Sequence, residues 1–369
     1  MFRIIFFMQK KIAVLAGDGI GPEVMREAIK VLDKIAVIFD HKFLYNEELV
    51  GGAAYDVYGE HLPQKTLDAC SDCDAILFGS VGGPVDKQTE KKWQGVEKNA
   101  LLGLRKKFNL YANLRPIYLY KPLIELSVLK NNIVENGVDV MILRELTGGI
   151  YFGEHKTYMD NGEEVAIDIM SYKESEIRRI IKLAVEIAEK RNKKITVVDK
   201  ANVLDCSLLW RKITKEFAQK NKNVDFEFMY VDNAAMQLMK NPNYFDVLLT
   251  ENMFGDILSD LGSVISGSLG MAPSASLNDK NFGLFEPIGG SAQDIAGINI
   301  ANPIAQILSA ALMLKYSFSM IKEGEAIENA VINVLEKGIR TGDIYREGLR
   351  KVRTMEMGDY IAEAIVRDH

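Results

Sequence analysis

Cysteine is scarce, with three in 369 residues: Cys70, Cys73 and Cys206. Three thiols make no even framework of bridges, so a disulfide-stapled secreted scaffold is excluded and a reducing, cytoplasmic setting is expected. Cys70-Ser71-Asp72-Cys73 has the spacing of a redox or zinc motif. Zinc takes about four ligands, and among only four histidines no second pair or His-x-x-His follows. Two small residues ahead of a strand at 75–79 is the simpler reading. Long hydrophobic runs are lacking as well. The longest, 302–318, contains Gln306, Ser309 and Lys315. It is too short and too polar for a bilayer and predicts a buried helix. Residues 1–8, MFRIIFFM, put one arginine before five apolar residues, with no small-residue cleavage site after them. That is too short for a signal segment; Met8 is read as the natural start, or the first residues as a frayed extension. No block of one charge exists: 45 basic and 51 acidic residues are spread along the chain, for a net −6. Neither a nucleic-acid surface nor a membrane-binding helix is expected. No repeat, low-complexity tract or proline-rich linker marks a domain boundary.

What is present is an apolar fraction of 48 %, ample for a large core, and a length that suits two or three domains. Strand and helix patterns alternate. Residues 11–16 read as a strand. Pro22 then opens a helix through Ala36, with Val24, Ala28, Val31, Leu32 and Ile35 on one face. Compact apolar or β-branched runs at 74–78, 139–143, 194–198, 226–231 and 246–250 predict further strands. A helix at 173–191 buries Ile177, Ile180, Ile181, Ala184, Ile187 and Ala188, with Glu174/Arg178 and Glu186/Lys190 paired on its wet side. The alternation predicts an α/β fold with a largely parallel sheet. Gly17-x-Gly19-x-Gly21 resembles a dinucleotide fingerprint, but Pro22 stands where its third glycine belongs, and no strand ending in an acid is clear about twenty residues on. A tight turn feeding a helix is the better reading.

Ligands of open α/β sheets bind beyond the carboxyl ends of strands. Arg144 ends the run 139–143, Lys200 follows 194–198, and Asp232 follows 226–231. Three such charges at one end make a site. Downstream, in TENMFGDILSD (250–260), Asp256 and Asp260 are i,i+4 and share a helix face. Carboxylates so placed repel unless a cation or base joins them. Oxygen donors suit Mg²⁺ or Mn²⁺ rather than zinc, and a solvated helix face is the bland alternative, which the flanking Phe254, Ile257 and Leu258 oppose. Arg105 and Arg115 add guanidinium forks that suit carboxylates, although each alone would more often be a surface arginine.

With GDGIGPEVM (17–25), FGSVGGP (78–84), LLGLRKKFNLYANLRP (101–116), RELTGGIYFG (144–153), DKANVL (199–204), YVDNAAMQL (230–238), TENMFGDILSD, and GSAQDIAG with IANP (290–303), the chain resembles the β-decarboxylating dehydrogenases of the isocitrate/isopropylmalate family. The likeness runs from about Lys11 to the C-terminus. It implies a two-domain α/β subunit with a large mixed, mostly parallel sheet, distinct from the Rossmann fold. One domain would take 1–110 and 267–369 with most of the NAD site. The other, 111–266, would carry the metal site, a β-arm near 147–170 and the contact of a homodimer. By the same resemblance Arg105, Arg115 and Arg144 hold the two carboxylates of 3-isopropylmalate. Asp256 and Asp260 of one chain and Asp232 of its partner hold Mg²⁺ or Mn²⁺. Lys200, also from the partner, is the base, and Tyr151 is the proton donor. Packing alone would have made Tyr151 a core aromatic. Leu101 and Leu102 supply the aliphatic wall that selects the isopropyl group. Gly83, Gly290, Ser291, Ala292 and Asn302 line the NAD site, where Asp294 accepts ribose hydroxyls and repels a 2′-phosphate. Gly289 and Gln293 depart from the family, which often has His and Pro there; losing the His implies weaker NAD affinity at most. A sister enzyme acting on D-malate, tartrate or homoisocitrate is the nearest alternative. A non-catalytic regulatory subunit is the alternative of another class.

Overall fold

The computed structural model describes residues 8–367, so the reading of residues 1–7 lies outside the described residues. The chain forms two compact units, one built from the residues up to Phe108 and from Ser266 onward, the other from Asn109–Ile265.

The first unit begins with strand β1 (Gln9–Gly17), helix α1 (Gly21–Phe39), strand β2 (Lys42–Glu47), helices α2 (Gly52–Tyr58) and α3 (Gln64–Ser71), strand β3 (Ala75–Ser80) and helix α4 (Val96–Lys107). Parallel pairing puts β1 between β2 and β3. Pro22 sits in the first turn of α1, where its missing N–H costs nothing. Val24, Ala28, Val31, Leu32 and Ile35 are all buried, as their spacing predicts. The glycine turn ahead of α1 is required by close approach. A Cβ on Gly17 would lie 1.9 Å from the Ser80 carbonyl, and one on Gly19 1.9 Å from that of Ser291. The Ile20 N–H donates to the Ser291 carbonyl at 2.8 Å, so this turn is a packing joint and not a phosphate cradle.

Five strands make the sheet of the second unit. Strand β4 (Ala112–Leu119) runs antiparallel to β5 (Val138–Glu145). After a hairpin, β6 (His155–Asp160) and β7 (Glu163–Asp168), come helix α5 (Glu174–Glu189), strand β8 (Lys194–Asp199), helix α6 (Asp205–Lys220), strand β9 (Asp225–Tyr230), helix α7 (Val231–Lys240), strand β10 (Val247–Thr250) and helix α8 (Asn252–Ser263). The parallel order is β5, β10, β8, β9. The hairpin turns at Asn161-Gly162, both at positive φ, the chemistry of a two-residue turn. It has no buried residue. Helix α5 buries the predicted isoleucine and alanine face and joins Glu174 to Arg178 at 2.6 Å. Glu186 meets Lys182 at 3.9 Å and not the expected Lys190.

The chain then returns to the first unit. Strand β11 (Pro273–Leu277) is antiparallel to β12 (Gly283–Pro287), which lies parallel to β3. Helix α9 (Ile304–Tyr316) is buried along its first eleven residues, as the apolar run 302–318 predicts. Cys70 is buried in α3, and burial pushes its thiol up to about 12, which suits packing and not redox work. No described helix is long and apolar enough to cross a membrane.

Candidate active site

The parallel strands of the second unit end together. Register places Arg144 beside Thr250, Thr250 beside Val198, and Asp199 beside Tyr230. Arg144, Glu251–Asn252, Lys200 and Asp232 therefore emerge at the same end of one sheet. Arg144 lies inside β5 and not after it, since its backbone pairs with Asn113 on one side and Thr250 on the other.

Helix α8 presents Asp256 and Asp260 to this edge. Glu251 caps it, accepting from the Phe254 N–H at 2.8 Å. Gly255 is obligatory, because a Cβ there would lie 2.3 Å from Thr250 Oγ1 and 2.6 Å from Arg144 Cγ. The two acids do not simply face water. Arg144 Nη1 bonds Asp256 Oδ1, and Arg115 Nη1 reaches Asp260 Oδ1 at 3.0 Å. The Tyr151 hydroxyl donates to Asp256 Oδ2 at 3.1 Å, and the Arg144 guanidinium lies 5.8 Å from its ring centre. Partial burial, then the Asp256 charge, raise the Tyr151 pKa above its ordinary value of 10.0, so the phenol keeps its proton at neutral pH. Of the apolar flank, Phe254 and Leu258 are buried, while Ile257 is exposed.

Lys200 and Asp232 meet each other, Nζ to Oδ1, at 2.5 Å. The lysine bond holds the Asp232 carboxyl below the usual range. Arg211 braces the pair. It bonds both oxygens of Asp199, the residue before Lys200, at 2.6 and 3.1 Å, and stacks 5.1 Å from the Tyr230 ring, just upstream of Asp232.

In the first unit, Leu101 and Arg105 are i,i+4 neighbours on α4, and Leu102 is the i,i+3 neighbour of Arg105 on its more exposed side. Arg105 is buried and bonds Glu286 at 3.0 Å, while its Nε–H is buried with no partner among the described residues. An orphaned guanidinium N–H marks a place for an acceptor. Gly82 lies between two side chains: a Cβ on it would be 3.1 Å from Glu97 Oε1 and 3.2 Å from Ser291 Oγ. Glu97 has no place in the sequence reading. Its position about two turns ahead of Arg105 on α4 would have been the signal. Gln293 donates to the Gly82 carbonyl at 2.6 Å, a bond that the proline common at that position could not make. Gly83 is packed under Trp93, where a Cβ would lie 2.2 Å from the indole.

Beyond these loops lies a cavity of about 980 Å³, large among small-molecule sites. Ile20, Val24, Leu269, Ile288 and Ile300 wall it, with Gly290, Ala292 and Asn302 at its rim. Ser291 and Asp294 are not among its lining residues; Asp294 sits in the short turn Gln293–Ile295 between Ala292 and Ile295, which are. Among the polar lining groups that sequence reasoning missed are Ser268 and Asp343. Asp343 Oδ2 accepts from Ser268 Oγ at 2.5 Å and Asn302 Nδ2 at 3.0 Å. Apolar walls for a planar base, a bonded polar rim for ribose, and the open space at Gly290 fit a dinucleotide.

A metal site is half present. Asp256 and Asp260 are hard oxygen donors of the kind Mg²⁺ and Mn²⁺ take. Among the described residues, no three His, Cys, Asp or Glu side chains of one chain converge on a common point.

These features define a class. The chain belongs to the isocitrate/isopropylmalate dehydrogenase family, whose model matches residues 11–361, and it is a decarboxylating oxidoreductase. Among named relatives, the 3-isopropylmalate dehydrogenase of Mannheimia succiniciproducens is 54 % identical over 361 residues, covering 96 % of this chain and 99 % of its own. That of Helicobacter hepaticus is 52 % identical over 97 % of this chain and all of its own. Among solved structures, isocitrate dehydrogenase from Methylococcus capsulatus superposes with a TM-score of 0.84 at 32 % identity, over 96 % of this chain and 99 % of that one.

Proposed function

We propose that the chain oxidises (2R,3S)-3-isopropylmalate with NAD and decarboxylates it to 4-methyl-2-oxopentanoate, the dehydrogenase step of leucine biosynthesis, in the cytoplasm. The observation that carries the reading is the alternation of charge at Arg115–Asp260 and Arg144–Asp256 beside a protonated Tyr151. Two arginines and two aspartates sum to zero. A cation taken up by the aspartates turns the arginines over to a dianionic substrate.

Arg105, Arg115 and Arg144 hold the malate carboxylates. Asp256 and Asp260, with Asp232 of a second copy, would hold Mg²⁺ or Mn²⁺, which would supply acidification of the 2-hydroxyl, and the NAD site would supply the acceptor for the hydride of C2. Lys200 of that second copy takes the hydroxyl proton. The β-carboxylate of the resulting 2-oxo acid leaves as CO₂, and its electron pair moves into the C2–C3 bond. Tyr151 then gives its proton to C3. Gly83, Gly290, Ser291, Ala292 and Asn302 cradle NAD, and Asp294 selects it over NADP. The first unit carries most of the NAD site; the second carries the metal, the arm and the dimer contact.

Substrate choice rests on Leu101 and Leu102. A γ-carboxylate against two leucines would lose its hydration without a partner, at a cost of several kcal/mol. One missing methyl costs only about 1–3 kcal/mol, so smaller 3-alkylmalates remain slow substrates. Leu101→Ser is expected to lower kcat/KM for 3-isopropylmalate about tenfold. Unchanged kinetics would remove the leucine wall from the argument.

The test is NADH formation at 340 nm with 3-isopropylmalate, D-malate, isocitrate and tartrate, each with Mg²⁺ and with EDTA. 3-Isopropylmalate leading the panel, and silenced by EDTA, is the expected result. Another acid in the lead would overturn the substrate reading and leave the site chemistry standing.

A further inference from the structure

Asn252 opens helix α8 and is 0 % exposed. Its amide oxygen accepts from two atoms of Arg144, Nε at 2.9 Å and Nη2 at 2.8 Å. Its amide nitrogen donates to the Gly148 carbonyl at 3.0 Å. Its backbone N–H donates to the Tyr172 hydroxyl at 2.9 Å, and that hydroxyl donates to Glu251 at 3.2 Å. One buried side chain thus links the strand end bearing Arg144, the glycine turn leading to Tyr151, and the helix bearing Asp256 and Asp260.

We propose that Asn252 is a positioning residue for this reaction: it turns the Nη1 side of Arg144 toward the substrate site and sets the height of the turn carrying Tyr151, and it does so as a neutral acceptor. The neutrality matters. A carboxylate would orient a guanidinium equally well, but it would also discharge it. Arg144 is 4 % exposed, so little water screens such a pair. An amide fixes the fork without discharging it, so that the charge Arg144 now shares with Asp256 passes to the ligand once a cation takes up that carboxylate. The amide offers this acceptor together with a donor for the Gly148 carbonyl. Two neighbours complete the frame. Glu145, 0 % exposed, accepts from the N–H groups of Thr147 at 3.0 Å and Gly148 at 2.7 Å. Tyr172 blocks any side chain at Gly149, where a Cβ would fall 2.5 Å from its hydroxyl.

The inference rests on the reading of Arg144 as a carboxylate holder, so the experiment includes Arg144→Lys. Asn252→Asp, Asn252→Ala and Arg144→Lys are compared for KM and kcat with 3-isopropylmalate, for NADH affinity by fluorescence, and for melting temperature. Asn252→Asp is expected to raise KM at least about tenfold, as a neutralised Arg144 should. Asn252→Ala is expected to lower kcat at least about tenfold, as a loosened Tyr151 turn should. NADH affinity should stay at the wild-type value in both. A merely structural residue would lower the melting temperature and leave KM and kcat of the folded fraction unchanged, and that result overturns the proposal. If Arg144→Lys raises KM but Asn252→Asp does not, the positioning role falls alone. If Arg144→Lys leaves KM unchanged, the carboxylate-holder reading falls, and this inference with it.

Discussion

Tyr151→Phe is expected to lower steady-state turnover about 10²- to 10³-fold, within the range for loss of a general acid, while one equivalent of NADH per site still forms in the first turnover. The two halves of this result have separate causes. The phenol keeps its proton because partial burial and the Asp256 carboxylate both disfavour the phenolate. A neutral phenol 3.1 Å from a carboxylate is a proton donor in waiting, not a base. Its work comes after C2 has been oxidised and CO₂ lost, so removing the hydroxyl stalls a late step and spares the hydride transfer that makes NADH. Phenylalanine keeps the ring beside the Arg144 guanidinium, and Asp256 keeps its bond to Arg144. Substrate affinity should therefore change by no more than a few-fold. A stopped-flow trace at 340 nm reads both quantities. Loss of the burst along with the steady state would put Tyr151 at or before hydride transfer. Wild-type turnover would remove it from the chemistry.

The end of the sheet where chemistry gathers was legible from strand runs alone. Parallel strands deliver their carboxyl ends together, so Arg144, Lys200 and Asp232 fell to one edge without any knowledge of their neighbours. Which charges meet was not legible. Arg144 reaches Asp256 across 112 residues and Arg115 reaches Asp260 across 145, and i,i+4 spacing speaks only for one helix face. Strands β4 and β11 were missed for a local reason. Strand β4 carries Asn113, Arg115 and Pro116, and β11 reads Pro-Ser-Ala-Ser-Leu, so neither shows the β-branched run that marked the others. Asn252 escaped because a short connection between strand and helix reads as cap chemistry. Glu251 does supply the cap, while the amide next to it makes its bonds to residues more than a hundred positions away. The Gly17–Gly21 turn went the other way. Pro22 in place of a glycine argued against a phosphate loop, and the carbonyls of Ser80 and Ser291 occupy the space a ligand would need.

Lys200→Ala and Asp256→Ala chains, each inactive alone, are expected to recover about a quarter of wild-type activity when mixed equally and allowed to exchange, if the enzyme is a symmetric dimer with shared sites. The expectation comes from what one chain lacks. Among its described residues no third carboxylate converges with Asp256 and Asp260, and Lys200 is engaged with Asp232. A site built from Asp256 and Asp260 of one copy and Lys200 and Asp232 of another explains both facts. Random exchange makes half the molecules mixed dimers. In each of these, one site has intact Asp256 opposite intact Lys200, and the other site carries both lesions. A second mixture is the control. Asp256→Ala with Asp260→Ala puts both lesions in the same half of the site, so every mixed dimer is broken twice and no recovery is expected. Native mass spectrometry of differently tagged chains verifies exchange in both mixtures. Confirmed exchange without recovery in the first would sink the shared site and return Lys200 and Asp232 to a role within their own chain. Recovery in the control would mean that Asp256 and Asp260 do not act on one ion.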